Sequence, residues 1–485
     1  MLFNSIDFAI FLPVVFFIYW VFGNKNLRVQ NFIIVISSYF FYGYWDWRFL
    51  SLIFLSTLVD YFIGGRLKNQ QIKSKRKILL ILSLSVNLGI LIIFKYYNFF
   101  LENFVNTFSL FGVQISSSSL NIILPVGISF YTFQTLSYTI DIYNKRLEPT
   151  QDFIAFASFV CFFPQLVAGP IERAINLLPQ FNNKRTFVYF KAVDGLNQIL
   201  WGLFKKVVIA DSCSVFVNEI FTDSQNMDGI SLFIGALLFS VQVYGDFSGY
   251  SDIAIGTSKL FGFRLMQNFS FPYFSRSILE FWKRWHISLT SWFTDYLFTP
   301  LALNLRDYKL KGLILSITIT FFLSGLWHGA KWTFIVWGIL HSIYYLITIL
   351  MVGFKIPKKV VAFGKNIPTL KEFSTIALTF ILVSFANIFF RAENLNHAFN
   401  IIYRIFNVEL LSLPKFFYDK SAFILLSLIL IFFLIEWLGR VNKYATEKIF
   451  VKNKNLKNIF LHLLIILIIW FSIKSEPQEF IYFQF

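Results

Sequence analysis

Apolar residues in this chain fall into long uninterrupted blocks, separated by short polar or basic connections. A helix that crosses a bilayer needs about 20 mainly apolar residues. The pattern predicts spans at 6–23, 30–45, 48–64, 78–94, 121–140, 153–169, 194–210, 230–245, 312–328, 332–352, 372–390, 421–438 and 457–473. The expectation is an all-α, polytopic transmembrane helical bundle of about 11–13 spans. The stretch 246–311 resists the pattern by alternating polar and aromatic groups. Within it, Ser277–Leu301 interleaves Trp282, Trp285, Trp292 and Tyr296 with Lys283, Arg284, His286 and Asp295, which predicts an amphipathic helix lying on an interface or dipping into the protein. Polar backbone at membrane depth persists only when buried in protein or lining a water-filled cavity, so a polar cavity at the centre of the bundle is expected.

Composition agrees: 56% of residues are hydrophobic and 14% charged, against about 25% charged in soluble domains. The net charge of +17 would point to nucleic acid in a soluble protein. Here it fits basic loops held on the cytoplasmic side, and no zinc-finger, RNA-binding or basic-zipper pattern accompanies it, so no nucleic-acid partner is expected. Arg66, Lys68, Lys73, Lys75, Arg76 and Lys77 mark one cytoplasmic loop. Lys355, Lys358, Lys359 and Lys365 mark a second, and Arg440, Lys443, Lys448, Lys452, Lys454 and Lys457 a third. Counting spans from these loops places the N-terminus, the segment 392–420 and the C-terminus outside. The first apolar run lacks a basic lead and a small-residue cleavage site, so it reads as a retained span. With no long linker and no internal repeat, residues 1–485 read as one integral membrane domain.

Five histidines are candidates for chemistry: His286, His328, His341, His397 and His462. Imidazole titrates near neutral pH and is the usual general base. His328 closes an apolar span, where it is costly unless hydrogen-bonded or solvated; the bland alternative is a buried His bonded to a backbone carbonyl. Gly325 and Gly329 allow close approach by a helix or ligand. His286 reads either as a catalytic group or as a member of an aromatic belt. His341 reads as a helix-packing donor, His397 as a loop residue and His462 as a span-end residue. Asp246 and Asp252, Gln134 and Asp141, and Glu172 with Arg173 are polar groups in apolar context, best explained as interhelical networks or, for Glu172, a loop. Two cysteines, Cys161 and Cys213, make neither a disulfide framework nor a metal site. No His-Glu-x-x-His, Cys pair at ligand spacing or carboxylate–His cluster is present, so no metal is expected, and no nucleophile elbow is formed.

Several motifs occur in a fixed order: Leu124-Pro-Val-Gly-Ile-Ser-Phe-Tyr-Thr-Phe-Gln134, Val167-Ala-Gly-Pro-Ile171, Asp246-Phe-Ser-Gly-Tyr-Ser-Asp252, Phe281-Trp-Lys-Arg-Trp-His286, Trp292-Phe-Thr-Asp-Tyr296, Trp327-His-Gly-Ala-Lys-Trp332 with Trp337-Gly338, and the ending Phe480-Ile-Tyr-Phe-Gln-Phe485. On these the chain resembles, nearly end to end, the membrane-bound O-acyltransferase family, in its bacterial alginate O-acetyltransferase-like branch. The stretch Pro300-Leu-Ala-Leu-Asn-Leu-Arg306 departs from the branch by lacking glycines.

The resemblance implies a helical bundle with a thinned centre, a central channel and re-entrant or interfacial helices. His328 falls at the position of the family's principal catalytic histidine and His286 at that of its second. It further implies transfer of an acyl group from a thioester donor, acetyl-CoA or another acyl thioester, with no tightly bound cofactor. The acceptor would be a hydroxyl of an exported polysaccharide, or of a periplasmic or extracellular acetyl-accepting protein. The setting would be the bacterial cytoplasmic membrane, with membrane lipids as neighbours. Two alternatives stay open: D-alanyl transfer from a carrier protein, as in another branch of the family, and a transporter or flippase, since intramembrane carboxylates and broken spans also suit transport.

Overall fold

The computed structural model describes residues 1–112, 120, 122–167, 169–357, 359–407, 420–449, 453–474 and 478–483. Ala168, Gln484 and Phe485 of the motifs, the loop residues Lys358 and Lys452, residue 121, and positions 408–419 of the expected outer segment lie outside the described residues.

Every regular element among the described residues is helical. The chain packs as two compact units, Met1–Ala192 with Thr257–Met266, and Val193–Gly256 with Gln267–Phe485.

In the first unit, α1 (Ile6–Gly23) starts at Ser5, whose hydroxyl accepts from the Phe8 amide at 3.2 Å and satisfies one of the orphan donors of the first turn. α2 (Leu27–Asp46) and α3 (Leu50–Asn69) are separated by a single 3-10 turn capped by Asp46. α4 (Lys73–Leu91) runs through a π-helical turn into α5 (Tyr97–Leu110). α6 (Ile128–Tyr143) is buried along nearly its whole length. It is tied to α3 and α4 through Asp60, which accepts from Ser83 Oγ at 2.5 Å, Asn87 Nδ2 at 2.9 Å and Thr139 Oγ1 at 3.0 Å. Three neutral donors thus satisfy a fully buried acid, as the cost of an unpaired one requires. α7 (Phe153–Cys161), α8 (Phe163–Leu166) and α9 (Ala174–Phe181) complete the unit. Glu172, between α8 and α9, is buried and accepts from the Met266 amide. Burial raises its carboxyl pKa to about 7, so the loop reading understated how enclosed it is.

The second unit begins in α10 (Tyr189–Leu203), which continues through a π-helical stretch into α11 (Asp211–Thr222). α12 (Gly229–Leu260) follows. Three short helices come next, α13 (Ile278–Trp282), α14 (Ile287–Phe293) and α15 (Thr299–Asn304). The long helices then resume: α16 (Lys309–His328), α17 (Trp332–Val352), α18 (Leu370–Arg391), α19 (Leu395–Asn407), α20 (Lys420–Gly439) and α21 (Lys454–Lys474).

Among the described residues, nine helical stretches are long and apolar enough to cross a membrane, and one of these, Leu27–Asn69, comprises both α2 and α3. The protein is a multi-pass membrane protein. The segments read as spans at 121–140, 153–169 and 194–210 are shorter or more polar: α6 is an interior helix, α7 and α8 are split at Phe162, and the third carries Lys205 and Lys206. Two details differ from the sequence reading. Asp246–Asp252 lies inside α12 rather than beyond its end, because its carboxylates have buried cationic partners. The stretch Ser277–Leu301 is not one amphipathic helix. Turns and a π-helical segment divide it into α13, α14 and the start of α15, with aromatic residues buried on several faces.

Candidate active site

The site grows from the α16–α17 hairpin. A Cβ placed on Gly325 would strike the Phe334 carbonyl, and one on Gly338 the Phe321 carbonyl. Only glycine at both positions allows the two backbones this close, the usual role of small residues between membrane helices. The tight hairpin brings the last residue of α16, His328, edge-on to Trp337 at 5.0 Å between ring centroids. Trp327 at 5.0 Å, Phe390 at 5.4 Å and Tyr482 at 5.5 Å complete an aromatic collar around an imidazole that is 3% exposed. Gly329 makes room for the Phe334 ring, so the Gly325–Gly329 pair serves helix packing.

His286 reaches the same tryptophan from an irregular turn. It caps α14 in the left-handed region, at φ 44° and ψ 52°, a conformation costing a non-glycine residue about 1–2 kcal/mol. Backbone bonds hold the turn: the Ser270 amide donates to Arg284 O at 2.9 Å, and the Ile287 amide to Asn268 O at 2.8 Å. Arg284 and Arg276 both pair with Glu280, at 2.9 and 3.0 Å, which fixes α13 ahead of the turn. The imidazole is fully buried, edge-on to Phe247 at 4.6 Å and 6.1 Å from Trp327. Nδ1 meets Asn268 Oδ1 at 3.0 Å, while Nε2 has no hydrogen-bond partner among the described residues. Burial lowers the pKa of this histidine, which lies between spans, to about 3, so it is neutral at physiological pH. The structure thus brings both expected site residues to the Trp327 ring.

The Asp246–Asp252 motif supports this arrangement from α12. α10 and α12 approach backbone to backbone, with Gly202 against Gly249 and Gly256 against Gly195. The π-helical stretch after α10 then turns Lys205 onto Asp252 at 2.5 Å, and Lys206 onto Asp211 at 2.8 Å and Asp246 at 2.9 Å. All these side chains are nearly inaccessible, so removing one partner would strand a buried charge. The second oxygen of Asp246 accepts from the Ile481 amide at 2.7 Å. This contact seats the C-terminal segment, with Phe480 against Tyr250 at 4.5 Å and Tyr482 against Phe247 at 4.6 Å. A small polar cavity bordered by Lys205, Asp252, Glu436, Ser251 and Asn268 lies in this unit. Sequence reasoning missed Lys205, Lys206, Asn268 and Tyr482. The adjacent lysines inside a predicted span were the available signal for the first two.

Of the remaining histidines, His341 borders this centre through Trp337, and His397 and His462 lie on other helices. His341 packs against Trp337 at 4.7 Å and Trp282 at 5.1 Å, but neither ring nitrogen has a hydrogen-bond partner among the described residues, so it packs without acting as a donor. His397 lies in the first turn of α19 rather than a loop, 3.1 Å from Ser224 Oγ. His462 is mid-helix in α21, its Nδ1 donating to Asn458 O at 2.6 Å. Cys161 and Cys213 are free and buried.

The family model for MBOAT, the membrane-bound O-acyltransferase family, matches residues 40–390, a range that takes in both histidines and the α16–α17 hairpin. The chain belongs to the membrane-bound O-acyltransferase family. It is an acyltransferase. It is 38% identical over 414 residues to a probable alginate O-acetylase, AlgI, of Pseudomonas aeruginosa, covering 84% of this chain and 75% of that protein. It is 34% identical over 455 residues to a peptidoglycan O-acetyltransferase of Helicobacter pylori, covering 87% and 83%. A teichoic acid D-alanyltransferase of Bacillus subtilis is more distant, 28% identical over 236 residues, or 46% of this chain and 58% of that protein.

Proposed function

We propose that this membrane-bound O-acyltransferase moves an acetyl group from a cytoplasmic thioester, acetyl-CoA or an equivalent, to a hydroxyl of an exported cell-envelope glycan, directly or through a partner protein outside that carries the acetyl group onward. The observation that carries the reading is the convergence of two buried histidines on Trp327, in a chain matched over most of its length by O-acetylating relatives. In the reading, His328 takes the proton of the acceptor hydroxyl as its oxygen attacks the thioester carbonyl. The carbon–sulfur bond then breaks, and the imidazolium returns the proton to the leaving thiolate, giving an ester and a free thiol. General-base assistance of this kind contributes about 10²–10⁴-fold. Neutral His286 either orients the donor, donates to the developing oxyanion or shares the proton transfer. The loop charges support an N-terminus outside the cytoplasmic membrane.

The test is the alkali-labile acetate of envelope and exported glycans in wild type, a deletion, and the deletion carrying His328→Ala at matched abundance. Loss of acetate in both mutants is the expected result, and the depleted glycan names the acceptor. Unchanged acetate in the deletion would overturn the reading and direct attention to D-alanyl esters, the chemistry of the more distant relatives.

A further inference from the structure

We propose that Asn268 is a positioning residue for His286: its side-chain carbonyl fixes the imidazole as the Nδ1–H tautomer and leaves Nε2 as the basic nitrogen inside the site. The inference deepens the proposed function and rests on it for the catalytic consequence, though not for the tautomer itself.

Asn268 Oδ1 accepts from the Ser288 amide at 3.3 Å and from Ser288 Oγ at 2.8 Å. A backbone N–H can only donate, so the Asn268 atom facing it must be oxygen. The flipped amide would set an NH2 group against that donor. The same oxygen lies 3.0 Å from His286 Nδ1, nearer than the other neighbour of that nitrogen, Ser288 Oγ at 3.4 Å, whose proton goes to Asn268 Oδ1 at 2.8 Å. Two acceptors cannot share a hydrogen bond, so the ring nitrogen there carries the proton. A neutral imidazole has one N–H, and Nε2 is therefore left with a lone pair, which removes oxyanion donation from the roles open to His286 and leaves donor orientation or proton transfer. That nitrogen is buried, with no hydrogen-bond partner among the described residues. The assignment needs no remote charge, because it follows from which atoms can donate.

Three further observations show that Asn268 is itself held in place. It is 1% exposed. Its Nδ2 donates to Ser251 Oγ at 3.0 Å, tying it to α12 within the Asp246–Asp252 motif. Its backbone carbonyl accepts from the Ile287 amide at 2.8 Å, next to the left-handed residue it orients. One residue thus grips the His286 turn through its main chain and its side chain. Orienting an imidazole through its non-reacting nitrogen is a general way of setting the tautomer and basicity of the other.

The experiment compares wild type, Asn268→Ala and Asn268→Asp as full-length protein in detergent. It uses ring nitrogen-15 NMR of histidine-labelled protein, with the His286 signal assigned by its loss in His286→Gln. A second readout is thiol release from acetyl-CoA across a pH series. The Nδ1–H tautomer is expected in wild type and in Asn268→Asp, and its loss in Asn268→Ala. Transfer should fall about 10- to 100-fold in Asn268→Ala, mainly in kcat. In Asn268→Asp, where a carboxylate still accepts from Nδ1–H and favours the imidazolium, the activity limb set by histidine should move to higher pH. A packing role alone would move neither the tautomer nor that limb. An Nε2–H tautomer in wild type overturns the proposal, as does an Asn268→Ala protein that keeps the Nδ1–H form. A tautomer that responds as expected without any change in transfer leaves Asn268 in its positioning role and overturns the catalytic reading of His286 instead. If Asn268→Ala does not fold, Asn268→Asp carries the test alone through its tautomer and pH limb.

Discussion

His328 is delivered by regular structure and His286 by irregular structure. The first ends a 20-residue helix whose position is set by glycine-to-backbone contact with α17. The second caps a seven-residue helix in a left-handed conformation, held by Asn268, Ser288 and the Arg284–Glu280 pair. A long helix needs only close packing to aim its last side chain. An irregular turn buried in the protein must have its polar groups satisfied by its neighbours. The two histidines should therefore fail in different ways: His328 when the hairpin is pushed apart, and His286 when a hydrogen-bond acceptor is removed.

The sharpest break of the comparison is removal of the rings themselves. His328→Ala and His286→Ala should each lower transfer by about 10²–10⁴-fold, read as O-acetyl ester formed at matched membrane abundance. A double mutant no worse than the more severe single would show that the pair acts as one unit. Next comes the hairpin. Gly338→Leu drives a side chain into the Phe321 carbonyl, and such overpacking costs about 1–3 kcal/mol. A lowered melting temperature in detergent, with transfer falling alongside, is expected; an unchanged protein would refute close packing as the means of placing His328.

The smallest effect lies outside both supports and separates stability from chemistry. Glu172 is buried with its pKa raised to about 7 from the usual 4.5. The folded state then holds a proton that the unfolded state has lost between those values, so stability falls as pH rises from about 4.5 to 7. Glu172→Gln, which keeps an acceptor for the Met266 amide, should be more stable than wild type above pH 7 by about 3 kcal/mol. The gain should vanish below about pH 4.5, and thermal unfolding at the two pH extremes measures it directly.

What the sequence made legible follows the same division. The hairpin and its histidine were readable because an apolar block with two glycines and a terminal imidazole is a local pattern. So were most of the spans, for which block hydrophobicity is sufficient. The turn that holds His286 was not legible as a turn. Its aromatic and polar alternation has a helical average, while its shape depends on Asn268 and Ser270, which read as connecting sequence. Asp246 and Asp252 stood out as acids in apolar context, but their lysine partners sit on another helix, and no periodicity within one segment reveals a pairing between two. Tyr482 lay beyond reach for a related reason: its place beside His328 depends on contacts with distant segments, the Ile481 amide on Asp246 and the Tyr482 and Phe480 rings on Phe247 and Tyr250.

The buried lysines also bear on how the protein is made. Each would cost about 2.5–3.5 kcal/mol at the centre of a lone helix offered to the insertion machinery. Lys206 has one acidic partner on its own helical segment, Asp211, but Asp246 and the Lys205 partner Asp252 are supplied only by α12. The stretch carrying these lysines is therefore a poor candidate for stepwise release into lipid as it emerges. Its lysines gain their full set of acidic partners only once α12 has been synthesised, so the two segments are expected to settle as a pair.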